Sequence, residues 1–140
     1  MNECPFCTIL KEKQIRLFKE YNHSFLVFSD PQLMPGHLLV IPKRHVEKLS
    51  ELPQEEKAEL FELVEEYQEK ILATIAPGCD ICQNYRPFIK QGQLKVDHLH
   101  FHLRPRDNED SLFQGAQKFE KDLFKSLSDE EFQHYKELLK

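Results

Sequence analysis

The segment Asp97-His98-Leu99-His100-Phe101-His102-Leu103-Arg104 alternates polar and apolar residues and holds three of the chain's seven histidines. In a β-strand, successive side chains point to opposite faces, so His98, His100, His102 and Arg104 share one face while Leu99, Phe101 and Leu103 share the other. As a helix, His98 and His102 would stack at i,i+4, His100 would point elsewhere and the apolar residues would scatter around the circumference. The alternation therefore predicts a strand over residues 96–104, with one face in the core and the other forming a site. Imidazoles in a row are weak strand formers and costly to bury, so each needs a partner or stays wet. An incidental run on a solvated edge strand fits poorly with the apolar alternation opposite it. One metal ion shared by all three fits poorly too, because His98 and His102 stand about 13 Å apart along a strand at its usual rise.

The bulk numbers narrow the setting. A chain of 140 residues, 40% hydrophobic and 31% charged, is a single domain of ordinary size with a proper core. It has neither the roughly 18 consecutive apolar residues that a membrane span needs nor a charged start followed by an apolar stretch, so a cytoplasmic protein with no membrane partner is expected. A net charge of −5 argues against nucleic acid as a partner. It leaves room for a small phosphorylated ligand, since Lys43, Arg44, Arg86, Lys90, Lys95, Arg104 and Arg106 lie in or near the segments that would surround the site. The four cysteines form two pairs, Cys4-Pro5-Phe6-Cys7 and Cys79-Asp80-Ile81-Cys82, for which disulfides are an unsuitable purpose without export.

Local patterns supply the remaining elements. Phe25–Phe28 reads as a strand ending in the turn Ser29-Asp30-Pro31, and His37–Ile41 reads as a buried strand between Pro35-Gly36 and Pro42, the two forming a hairpin. Apolar residues from Leu60 to Ile75 recur at three- and four-residue steps, predicting a long amphipathic helix over 53–75 that stops before Pro77-Gly78. A strand is predicted over 81–88 despite Pro87, antiparallel to the histidine strand across the Gly92 loop. Residues 112–125 and 128–139 read as helices, the second opened by Ser128 and Glu131 in capping-box spacing. The expected architecture is α+β: an antiparallel sheet with a long helix on one face, spanning residues 1–106, and a C-terminal helical extension over 107–140 packed on the same domain.

His98-Leu-His100-Phe-His102-Leu-Arg, preceded by Pro35-Gly36-His37-Leu38-Leu39-Val40-Ile41-Pro42-Lys43-Arg44-His45, resembles the histidine triad (HIT) family of nucleotide hydrolases and transferases over roughly residues 4–106. The resemblance implies cleavage at a nucleotide's α-phosphate through a nucleotidyl-histidine intermediate. It makes His100 the nucleophile, His102 the donor to the phosphoryl oxygens and His37 a member of the proton relay near the leaving group. These residue types suit the chemistry: a neutral imidazole is a competent nucleophile once its other nitrogen is held, and a histidine titrates near working pH. A histidine that merely ends a strand is the plain alternative for His37.

The cysteines have several readings. Cys-Pro-Phe-Cys resembles the redox pair of glutaredoxin-like proteins, but that geometry needs a preceding strand, and only three residues precede Cys4. As a zinc knuckle the pair needs two further ligands. Similar bacterial triad proteins complete the site with the histidine after the Pro-Lys segment and the first triad histidine, which implies a structural Zn²⁺ on Cys4, Cys7, His45 and His98. A four-cysteine site with Cys79 and Cys82, or buried thiols alone, are the other readings.

The family's ribose-binding acid commonly stands eight residues before the His of Pro-Gly-His. Here Ser29 holds that place and Asp30 stands at seven; Asp30 is the expected ribose acceptor, because a carboxylate can accept two hydroxyl bonds. Gly92-Gln93-Leu94-Lys95-Val96 departs from the family's Gly-Gln-Ser/Thr-Val, leaving Gln93 and Lys95 as substitutes at the phosphate, while Asn84 resembles the family's Asn on the preceding strand. Arg86 could line an anion pocket or be a solvated edge residue. The expected function is a hydrolase of a dinucleoside polyphosphate or nucleoside phosphoramidate. A hexose-phosphate type nucleotidyltransferase, which usually carries Gln where this chain has His102, and a non-catalytic nucleotide-binding module are the alternatives. The resemblance also implies a homodimer.

Overall fold

The computed structural model describes residues 3–140. Strands β1 (Leu17–Glu20), β2 (Ser24–Phe28), β3 (Leu38–Pro42), β4 (Gly78–Gln83) and β5 (Phe101–Arg106) form one antiparallel sheet in the order β1-β2-β3-β5-β4. With its helices this is the α+β architecture that the sequence predicts. β2 and β3 read as unbroken apolar runs because both faces are covered. Leu26, Leu38 and Val40 pack on the long helix α2 (Gln54–Thr74), and Phe25, Val27, Leu39 and Ile41 pack on Phe6 and Ile9 of α1 (Pro5–Glu12).

α2 lies within one residue of its predicted ends at both termini. Glu55 and Glu56 in its first turn complement the helix dipole. Its inner face, Leu60, Leu63, Val64, Tyr67 and Ile71, is buried against the sheet. Each buried aliphatic side chain contributes roughly 1.5–3 kcal/mol, so packing, more than propensity, holds the helix. The Tyr67 hydroxyl meets that of Tyr21 at 2.8 Å.

Several boundaries differ from the sequence reading. α1 and β1 were not predicted. α1 starts at Pro5, whose fixed φ suits a first turn, and ends at Lys13 with φ 51°, whose N–H donates to the Ile9 carbonyl. The strand expected over 81–88 is Gly78–Gln83, ending before Pro87, which has no N–H for a ladder. β5 begins at Phe101 and not at residue 96, because Leu99 N–H donates to the Val46 carbonyl at 2.6 Å, tying residues 98–100 to the loop after β3. The alternation persists nonetheless, with Leu99, Phe101 and Leu103 under α2.

The helix expected over 112–125 is a short α3 (Ser111–Gly115), capped by the Asp110 carboxylate, followed by a 3-10 turn over Gln117–Asp122. α4 (Asp129–Leu138) carries the predicted Ser128–Glu131 capping box. Arg106 fastens the start of this region by donating to Asp80, Asp110 and Gln117, and residues 118–140 are exposed. Among the described residues no helix is long and apolar enough to cross a membrane.

Candidate active site and metal cluster

The sheet face opposite α2 carries the candidate site. β5 directs His102 and Arg104 to that face, with His102 opposite Leu39 of β3 and Cys82 of β4. Beside them lies a cleft of about 810 Å³, lined among others by Phe6, Asp30, His37, Gln93, His100 and Arg104. His37 reaches it from the turn before β3. Gly36 makes that turn with φ 82°, and a Cβ there would stand 3.2 Å from Pro105 Cγ and 3.3 Å from Ile75 Cγ2, so the approach of this turn to β5 and the end of α2 requires glycine.

Fixed backbone groups set the proton positions. His100 Nδ1 lies 2.7 Å from the His98 carbonyl, which can only accept, so Nδ1 carries the proton and Nε2 keeps its lone pair. Leu33 N–H donates to His37 Nδ1 at 3.2 Å, so the His37 proton is on Nε2, which faces His102 Nδ1 at 2.9 Å. His102 Nδ1 is then an acceptor, and its proton sits on Nε2. The chain Leu33, His37, His102 thus ends in one N–H donor. Phe6 packs its ring edge-on against His100 with 5.0 Å between centroids.

All three imidazoles favour the neutral form. Burial lowers His100; burial, then the Arg104 and His100 charges, lowers His37 to about 4. His102 falls to about 3 through burial and the neighbouring His100, Arg104, His37 and Arg86.

The first triad histidine turns the other way. His98, 2% exposed, donates from Nε2 to the Pro42 carbonyl at 2.8 Å, which leaves Nδ1 free. That nitrogen lies 3.4 Å from Cys4 Sγ, 3.6 Å from Cys7 Sγ and 3.0 Å from His45 Nδ1, and His45 Nδ1 lies 3.6 Å from Cys7 Sγ. All four ligand atoms lie within 4.8 Å of one another. A tetrahedral ion with the usual metal–sulfur and metal–nitrogen lengths would set sulfur and nitrogen about 3.5 Å apart, so the donors fit. Burial and the adjacent Cys4 thiol push Cys7 up to about 11, a crowding that a cation relieves by taking the thiolates as ligands. Cys4, Cys7, His45 and His98 are therefore positioned to bind a metal.

The redox reading finds a helix start at Cys4 but, among the described residues, no strand before it. Cys79 and Cys82 stand three residues apart on a strand and so point to opposite faces. Cys79 packs on the α2 core and Cys82 lies 3.7 Å from Asn84 Oδ1, outside the cluster.

The cleft brings together His37, His100, His102, Asp30 and Gln93. Asn84 instead lines a separate small cleft with Arg86, Lys95 and His98. Ser29 also borders the main cleft, yet its hydroxyl donates to the Pro31 carbonyl at 2.9 Å. Phe6 and Arg16 were missed as lining residues. Phe6 carried a signal, since it lies between the two cysteines that approach His98, whereas Arg16 carried none.

A sequence profile of the HIT domain matches residues 11–109, which takes in the sheet, α2 and all three cleft histidines. The chain belongs to the HIT family. Adenosine 5′-monophosphoramidase of Schizosaccharomyces pombe is 34% identical over 111 residues, covering 76% of this chain and 77% of its own. The crystal structure of a HIT family member from Bacillus subtilis matches with a TM-score of 0.75 at 26% identity, over 99% of this chain and 95% of that one. A zinc-bound histidine triad family protein from Mycobacterium smegmatis matches with a TM-score of 0.61 at 27% identity, over 78% of each chain. The HIT fold thus accounts for the sheet, the long helix and the triad.

Proposed function

We propose that this HIT protein is a nucleotide hydrolase in which His100 Nε2 attacks the α-phosphorus of a nucleoside phosphoramidate or dinucleoside polyphosphate. The observation that carries this reading is the bond from His100 Nδ1 to the His98 carbonyl at 2.7 Å, which keeps Nε2 a lone-pair donor facing the cleft. A nitrogen–phosphorus bond forms, the bond to the leaving group breaks with its electron pair going to the leaving atom, and water then displaces His100 to release the nucleoside monophosphate. His102 donates its Nε2 proton to a phosphoryl oxygen, where charge is redistributed during displacement. His37 acts through His102, holding its tautomer. Asp30 is the ribose acceptor, its neighbour Ser29 having already committed its hydroxyl proton. Gln93 flanks the phosphate, while Asn84, which lines the separate small cleft, is given no part in the reaction. The family membership and the phosphoramidase relative support the reaction class.

Zinc is the metal proposed for Cys4, Cys7, His45 and His98. Two sulfurs and two nitrogens within 4.8 Å of one another suit it, and the zinc-bound relative supports the choice. A closed four-ligand site leaves no position for water, so the ion, when bound, stabilises the fold. A homodimer is proposed on the resemblance, with β4, one of the sheet's two edge strands, as the proposed pairing edge. A mass near the monomer's 16.7 kDa by light scattering at micromolar concentration would count against it.

The test of the function is acid-quenched turnover of adenylates labelled in the α-phosphate, followed by peptide mapping. Label on His100 is the expected result. Label on another residue, or none with any of a panel of phosphoramidates and dinucleotides, would overturn the proposal.

A further inference from the structure

Arg104 is a charged residue of the cleft that the reaction above leaves unused. It follows His100 and His102 on the same face of the histidine segment, and its Nε is buried without a hydrogen-bond partner. Its nearest acid by register is Asp80, directly opposite on β4, but that carboxylate is taken by Arg106. Among the described residues no ion pair involves Arg104. Arg16, the cleft's other guanidinium, already donates to the Phe28 and Asp30 carbonyls at 3.4 Å. The acid of the lining is Asp30, assigned above to the ribose, so the remaining lining is cationic in a protein whose net charge is −5. A half-buried guanidinium whose Nε–H is buried and unsatisfied is what a bound oxyanion would complete.

Position along the strand says which oxyanion. Residues two apart on one face are about 6.6–7 Å apart. In an in-line displacement the leaving atom departs opposite the nucleophile. With His100 attacking and His102 at the phosphoryl oxygens, the group beyond His102, on the side away from His100, is Arg104. We infer that Arg104 receives the leaving group and selects an anionic one, making the preferred substrate a phosphoanhydride whose leaving group is a nucleoside phosphate or polyphosphate. In that reaction the nitrogen–phosphorus bond to His100 forms as the α-phosphorus to bridging-oxygen bond breaks. The bridging oxygen keeps the electron pair, and the departing phosphate needs no proton. An amine leaving group must gain a proton as the bond breaks and departs neutral, so it offers the unpaired guanidinium no negative charge to meet. The inference rests on the hydrolase reading for its reaction, though not for its anion site.

The test compares wild type with Arg104→Leu, Arg104→Gln and Arg104→Lys in two measurements. Calorimetric binding of ADP and AMP asks whether the second phosphate is recognised. Wild type should bind ADP about tenfold to a hundredfold more tightly than AMP, the preference should approach one in Arg104→Leu and Arg104→Gln, and Arg104→Lys should keep part of it. Turnover of diadenosine triphosphate against adenosine 5′-phosphoramidate should show a ratio of kcat/KM that falls by about the same factor in the neutral variants. Equal ADP and AMP affinity in wild type, or a preference that survives in every folded neutral variant, overturns the anion site. An unchanged kcat/KM ratio with a lost ADP preference overturns the assignment to the leaving group. If neither substrate is turned over while the ADP preference still depends on Arg104, the hydrolase reading fails and the anion site stands.

Discussion

His98 and His100 lie two residues apart, and their imidazoles are used in opposite senses. His98 gives its Nε2 proton to the Pro42 carbonyl and offers Nδ1 to the cysteine cluster, whereas His100 gives its Nδ1 proton to the His98 carbonyl and offers Nε2 to the cleft. In the proposed reading, the same residue type thereby serves as a metal ligand in one region and as the nucleophile in the other. What separates them is which backbone oxygen each ring meets, and that is set by the bond from Leu99 to Val46, which draws residues 98–100 away from the strand ladder. A carbonyl two residues away is enough to decide a tautomer.

The largest effect should come from dissociating the two regions. His100→Ala removes the nucleophile and should lower turnover on the order of 10⁴-fold or more, while zinc content stays at one equivalent. Cys7→Ser should do the converse, dropping zinc below half an equivalent and lowering Tm by at least about 5 °C. Elemental analysis and thermal unfolding on both variants read this directly. Zinc lost from His100→Ala, or kept at full occupancy in Cys7→Ser, would break the separation.

Within the cleft, the next effect belongs to His102. Removing its phosphate donor in His102→Ala should slow the displacement about a hundredfold to a thousandfold, read as the single-turnover rate of adduct formation, with nucleotide affinity largely retained. His37→Ala should move the same step in the same direction, because His37 fixes the His102 tautomer at 2.9 Å. Combining the two should cost much less than the product of the single effects if they act as one unit.

How much of this was legible in the sequence depended on whether a contact is local. The β2–β3 hairpin and α2 announce themselves through short apolar runs and three- and four-residue steps, since each is patterned by a neighbour that covers a whole face. β1 gave no signal, because a four-residue strand with mostly exposed side chains has nothing to alternate against. The start of β5 was misread because side-chain alternation continues through Leu99 although the hydrogen-bond ladder does not. The helix expected over 112–125 breaks at Gly115–Ala116, and its later apolar residues Phe119, Leu123 and Phe124 stay exposed with no surface to face. In the site, the resemblance to the family carried the triad roles and the cluster, whereas Phe6, Arg16 and the unpaired state of Arg104 come from segments that meet only in the fold.

Asp30 sharpens the comparison from the binding side. Its replacement by Ala should raise KM about tenfold to a hundredfold with kcat nearly unchanged at saturation, the loss of a hydrogen bond to a charged acceptor. Ser29→Ala should have little effect, since that hydroxyl already donates to Pro31. The opposite pattern would move the ribose acceptor to Ser29.

The smallest effect is one of pH, and it tests the cleft's electrostatics. An ordinary imidazole takes its proton near 6.5, but burial and the neighbouring cations hold His37 at about 4 and His102 at about 3. Protonating His102 at Nδ1 would also set its new N–H against the N–H of His37. The active, neutral relay should therefore persist as pH falls, and the acid limb of kcat/KM should lie well below 6.5, near pH 4. Stability moves the other way over that interval. Between 6.5 and about 4 the unfolded chain binds protons that the folded cleft refuses, so the fold loses stability as pH drops from above 6.5 toward 4. Profiles of kcat/KM and Tm between about pH 4 and 8, with zinc content followed in parallel, separate the two trends. An acid limb at 6.5 would overturn this reading and mean that the two imidazoles titrate as ordinary solvent-exposed groups.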